Sequence, residues 1–178
     1  MKRPPIHGLM AEFDNPTDLV KAAHRAHEAG YRRMDAYSPF PIEELSEAIG
    51  FHHTHVPLVV LIGGVLGGLT GFLMQYWISA VNYPLNIGGR PLNSWPSFIV
   101  VTFEMTILGA AGFAVLGMLA LNALPMPYHP VFNVERFAFA SKDRFFLCIE
   151  ARDAKFERQG TEDFLRSLNP RGVTEVPH

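Results

Sequence analysis

Cysteine is nearly absent from this 178-residue sequence, where Cys148 stands alone. One thiol cannot form an internal disulfide, hold an iron–sulfur cluster by cysteines or complete a C-x-x-C metal motif, and no Cys-x-x-Cys-His is present to attach a c-type haem. A basic surplus is missing too. With 15 Lys and Arg against 17 Asp and Glu the formal net charge is −2, so nothing is set to meet the phosphates of a nucleic acid. The opening residues, MKRPPIHGLM, have no apolar h-region and are not read as a signal peptide. Charge itself disappears over two stretches. From Pro57 to Ala80 there is no Asp, Glu, Lys, Arg or His, and from Phe98 to Leu124 the only ionisable residue is Glu104.

Each apolar run exceeds the roughly 20 residues that carry a helix across the hydrocarbon layer. They predict a transmembrane hairpin, with one helix over 56–80, a connector over 81–97 and a second helix over 98–124. Lys2, Arg3, Lys21, Arg25, Arg32 and Arg33 precede it, the eight basic residues from Arg136 to Arg171 follow it, and Arg90 alone lies between. The positive-inside rule then predicts both termini in the cytoplasm and the connector outside.

Within the first run, Gly63, Gly67 and Gly71 recur at spacing four, and Gly64 and Gly68 form a parallel row. Small residues on one face let another helix approach closely, where dispersion and Cα–H···O contacts act without a hydrophobic drive. Whether that partner is the second span or another protein is open in the sequence. Glu104 falls about 9 Å into the second run, at 1.5 Å per residue. An ionisable residue at such depth is a functional-site candidate. Two readings stand: a proton-path or quinone-site carboxylate, and a carboxyl hydrogen-bonded to a neighbouring helix. Just before the first run come His52, His53 and His55. Three imidazoles suggest an interfacial collar, a metal or haem site, or a local proton relay; no Cys or carboxylate lies immediately beside them to complete a tetrahedral set.

The connector reads N-Y-P-L-N-I-G-G-R-P-L-N-S-W-P over residues 82–96, rich in turn formers and nearly uncharged. Tyr76, Trp77, Tyr83 and Trp95 fit an aromatic belt at the outer interface.

The flanks carry alternating and amphipathic patterns. Leu9, Ala11 and Phe13 share one side of a strand, Asn15-Pro16-Thr17-Asp18 opens a helix that Gly30 ends, and Arg33 to Tyr37 suits a second strand. Ile42 to Ile49 suits a short helix. After the hairpin, Phe145 to Ala151 reads as a strand, Thr161-Glu162-Asp163 as a helix start, and Val173 to Val176 as a last strand. Phe137 to Ala140 reads as a short strand extension or an interfacial segment. Two β-α-β units make a ferredoxin-like split sandwich. The expected fold is therefore an α+β membrane protein, with a two-helix transmembrane hairpin inserted between the halves (1–55 and 125–178) of a ferredoxin-like cytoplasmic domain. In such a fold helices cover one sheet face, which leaves the other face or the membrane-side edge open to a partner.

Five segments taken together resemble a known family: D-A-Y-S-P-F-P (35–41), Y-P-L-N-I-G-G-R-P-L-N-S-W-P (83–96), F-E-M-T (103–106), L-P-M-P-Y-H-P-V-F-N (124–133) and D-R-F-F-L-C-I-E-A (143–151). They are similar to the D subunit of the bacterial alternative complex III, a quinol-oxidising membrane complex. The resemblance implies an inner-membrane complex that passes electrons from quinol to a cytochrome c or to a terminal oxidase. It implies haem c and iron–sulfur clusters in partner subunits, and a quinol site in a large polytopic one. No cofactor and no catalytic residue is expected in this chain, which would be a non-catalytic structural subunit in contact with lipid and with those partners. The rival expectation is a membrane-tethered ferredoxin-like metal-binding or sensor module using His52, His53 and His55.

Overall fold

The computed structural model describes residues 5–51 and 54–178. The chain divides into two compact units: the flanks on either side of the apolar runs make one, and the runs with their connector make the other.

In the flank unit, strands β1 (Gly8–Phe13), β2 (Met34–Tyr37), β3 (Phe145–Glu150) and β4 (Gly172–Val176) form one sheet in the order β2-β3-β1-β4. Every neighbouring pair is antiparallel. The central pair, β1 and β3, joins the two flanks directly, Leu9 opposite Ile149 and Phe13 opposite Phe145. Strand alternation sends Leu9, Ala11, Phe13, Phe145, Leu147 and Ile149 to one face, where helices α1 (Pro16–Glu28), α2 (Glu43–Ala48) and α5 (Arg158–Ser167) supply Leu19, Ala22, Ala23, Ala26, Leu45 and Leu165. Helix α1 starts where a cap predicts it: the Asn15 side chain accepts the Asp18 N–H at 2.9 Å and Pro16 occupies the first turn. Gly30, at φ +98°, takes the left-handed turn that ends it.

The opposite sheet face is not open. Two 3-10 turns, Pro130–Asn133 and Glu135–Ser141, lie across it. Val131, Phe137 and Ala140 from these turns, with Val134 from the extended joint between them, pack on Met10, Phe146, Cys148 and Val176. Within the second turn Phe137 and Ala140 are i and i+3, which eclipse in a helix of three residues per turn. Of the alternatives the sequence left open, the vacant sheet face and the strand extension at Phe137 to Ala140 are corrected here. A sheet whose β1 and β3 are apolar on both sides must bury both, at about 1.5–3 kcal/mol for each large side chain.

Helix α5 starts at Arg158, three residues before the Thr161-Glu162-Asp163 start expected from the sequence. Thr161 is buried inside the first turns, where its hydroxyl accepts the Glu157 N–H and the Tyr31 hydroxyl, each at 3.2 Å.

The second unit is a helical pair, α3 (Val56–Tyr76) and α4 (Trp95–Leu121). Helix α3 runs on as a π-helical turn over Trp77–Asn82, so the continuous helical stretch is two residues longer than expected, and α4 begins three residues early with Pro96 in its first turn. Both helices are long and apolar enough to cross a membrane.

Candidate functional site

The glycine rows of α3 face α4. A Cβ on Gly67 would collide with the Met105 carbonyl oxygen, one on Gly63 with Phe113, and one on Gly71 would lie 2.9 Å from the Met105 Cβ. Across the seam a Cβ on Gly109 would strike the Gly63 carbonyl oxygen. The second row is looser: a Cβ on Gly64 would sit 3.6 Å from Ala110, while one on Gly68 would meet the Thr106 hydroxyl at 2.7 Å. The backbones therefore approach closely along Gly63, Gly67 and Gly71, where side chains would hold them apart. Near the connector, Gln75 donates from Nε2 to the carbonyls of Gly71 and Phe98, both at 3.0 Å, and Phe72 meets the edge of Phe98.

Glu104 is exposed on α4. The α3-facing positions are Thr102, Met105, Thr106, Gly109 and Phe113; at 100° per residue, Glu104 lies opposite them. Among the described residues no hydrogen bond or ion pair reaches its carboxyl. At the connector, Arg90 donates from Nε to the Ser94 hydroxyl at 2.9 Å and from Nη2 to the Ser97 hydroxyl. A cavity of about 270 Å³ opens there, lined by Ile78, Tyr83, Leu85, Ile87, Arg90 and Ser94 among others.

Of the histidines before α3, His55 is the residue preceding the helix and makes no side-chain cap bond. His52 and His53 lie outside the described residues. A different trio does gather, in the flank unit, and sequence spacing gave no sign of it. The His7 ring meets the edges of His129 (centroids 5.2 Å apart) and His178 (6.0 Å). Burial lowers the His7 pKa, against the pull of Glu150; burial and then the Glu150 charge raise that of Asp35. Among the described residues no group of three His, Cys, Asp or Glu side chains could hold a metal ion. Cys148 is buried beside Asp35 and Glu150, and burial with those two charges pushes its thiol up to about 12. A thiol so disposed is not a nucleophile at neutral pH. A cavity of about 670 Å³ in the flank unit, between the start of α1 and the start of α2, is lined in part by His24, Glu43 and Glu44, and among the described residues no hydrogen bond there links a nucleophile to a base.

These features define the class: a small mixed α+β protein with a four-stranded antiparallel sheet and two helices of membrane-crossing length. The chain belongs to the family described as alternative complex III, ActD subunit, which it matches over residues 7–175. It is thus an accessory subunit of that membrane complex of electron transport. A search among curated proteins finds no match.

Proposed function

We propose that this chain is a non-catalytic structural subunit, a brace for the quinol-oxidising chemistry of its neighbours in a bacterial respiratory or photosynthetic chain. Helices α3 and α4 cross the inner membrane as a hairpin, with both termini in the cytoplasm and the connector outside. The flanks close into a ferredoxin-like domain; in support, β1 and β2 run parallel with β3 between them, and each β-α-β unit skips one strand. The glycine rows hold the hairpin closed, and Glu104 borders a proton route in a neighbouring subunit. Haem c and iron–sulfur clusters belong to partner subunits, and large polytopic quinol-site subunits and a terminal oxidase are its surroundings.

One observation carries this reading. Leu61, Leu69, Val100, Ile107, Leu108 and Leu116 are all exposed on the outer sides of the helical pair. Water does not support so extended an apolar surface, whereas lipid and apolar helices of a partner do. The test is purification of the tagged chain in mild detergent, with a haem stain and an absorption spectrum. Co-purifying haem proteins with quinol-oxidation activity are expected. A redox centre ligated by this chain's own side chains, or recovery of the chain alone, contradicts the proposal.

A further inference from the structure

The hairpin holds two ionisable residues, and both lie on one side of it. Between Pro57 and Met126 the only Asp, Glu, Lys, Arg or His residues are Arg90 and Glu104. The Arg90 guanidinium rests on the Ser97 hydroxyl in the first turn of α4. Ser97 and Glu104 are seven residues apart, two turns of helix, so they share a face about 10 Å apart along the axis. That face points away from α3, whose contacts on α4 run through Thr102, Met105, Thr106 and Gly109. The rest of it is apolar: Val100, Ile107 and Leu108 are half or more exposed.

We infer that this face of α4 is the docking surface for a transmembrane helix of a polytopic partner subunit. The partner presents a hydrogen-bond donor or cation at the level of Glu104, and an acceptor or carboxylate about 10 Å nearer the connector, at the level of Arg90. The inference rests on the subunit reading above and says which side of the hairpin is covered, and by what chemistry. Lipid tails alone are the wrong occupant. A carboxyl without a donor is costly in hydrocarbon, and a partner's hydrogen bond removes that cost. The two polar groups at a fixed separation also set register: a helix whose donor and acceptor do not fall at these two levels leaves both groups without partners.

The experiment uses the intact complex. A photo-crosslinking amino acid replaces Leu108, one turn from Glu104 on the same face, with Glu104 unchanged. A covalent adduct with a polytopic subunit is expected. An adduct with lipid only, or with a second copy of this chain, overturns the inference. Recovery of partner subunits with Glu104→Gln is expected to match the parent protein, while Glu104→Leu and Glu104→Lys lose at least about fivefold, a drop of about 1 kcal/mol in binding. Equal recovery for all three overturns the polar part of the inference. The two failures separate: if the unsubstituted chain brings down no partners, the subunit reading falls; if it does and Leu108 finds only lipid, this docking face falls alone.

Discussion

Glu12 and Arg136, 124 residues apart in sequence and on opposite flanks of the apolar pair, form a two-pronged ion pair with Nε–Oε2 and Nη2–Oε1 both at 2.6 Å. Glu12 is 5% exposed, and Arg144 and Arg171 add their guanidiniums at 3.7 and 3.9 Å. A carboxylate on the inner face of β1 is thus the anchor for the 3-10 turns that cover that face. Glu12→Ala leaves three guanidiniums around an apolar methyl. Its expected effect is a melting temperature several degrees lower and faster proteolysis within 130–141. An unchanged digestion pattern contradicts the anchoring role.

Phe137 is the central apolar residue of that cover. It meets Tyr37 edge-on at 4.9 Å and touches Phe132 and Phe146. Truncation to Ala removes the ring and leaves a cavity over Phe146, and the expected loss is about 3–5 kcal/mol. Chemical denaturation of the purified protein measures it; a loss below about 1 kcal/mol shows the turns to be loosely laid on the sheet.

The helical pair separates two kinds of glycine. Gly67→Ala puts a methyl into the Met105 carbonyl, which is backbone and cannot rotate aside, whereas Gly112→Ala meets nothing within 4 Å. Overpacking of this kind costs about 1–3 kcal/mol. Thermal stability of the detergent-solubilised protein is expected to fall for Gly67→Ala and to stay level for Gly112→Ala. Equal behaviour of the two variants contradicts the packing described.

Asp153 predicts a pH dependence. Burial alone raises its pKa, but N–H groups of Arg33, Arg32 and Lys155 donate to the carboxylate and hold it below the ordinary value. The folded state therefore prefers the charged form, and its contribution is fully present above the unfolded-state pKa of about 3.9. It fades as pH falls through the lower folded value. Asp153→Asn is expected to destabilise the protein at neutral pH and to flatten its loss of stability on acidification below about pH 4. Parallel acid titration curves for variant and parent refute this.

Cys148 gives a chemical test of the sheet. A thiol raised from 9.0 to about 12 has about a thousandfold less thiolate at neutral pH than an ordinary cysteine, and it is buried as well. Maleimide is expected to leave it unmodified in the native protein and to react promptly in denaturant. Rapid native labelling contradicts the burial of this sheet face.

Much of the architecture is legible in the residues because local chemistry and tertiary environment agree. Alternation in β1 and β3 and the Asn15 cap meet the surroundings they anticipate, and the two apolar runs form the long helices that their length and composition predict. Thr161 misleads because its hydroxyl reaches back from inside the helix to Tyr31 and to the N–H of Glu157, the residue before the helix, so a cap-like signature falls past the true start. The row Val131, Val134, Phe137 and Ala140 is plain in the sequence, yet it has period three, which neither an α-helix nor a strand produces. Its meaning depends on a sheet face whose vacancy is known only after β1 and β3 pair. The orientation of Glu104 away from α3 is likewise set by the seam, since glycines at spacing four choose which side of α4 turns inward. The His7, His129 and His178 cluster is invisible locally, because its members come from three distant segments.

Both flanks of the helical pair fold into one sheet, and the central proposal is that they share one side of the bilayer. Single cysteines at Asp18 in α1 and Glu162 in α5, in a Cys148→Ser background, can be probed with a membrane-impermeant maleimide in sealed vesicles of known orientation. Both sites are expected to label only when the cytoplasmic surface faces out. Labelling of the two sites from opposite sides contradicts the account.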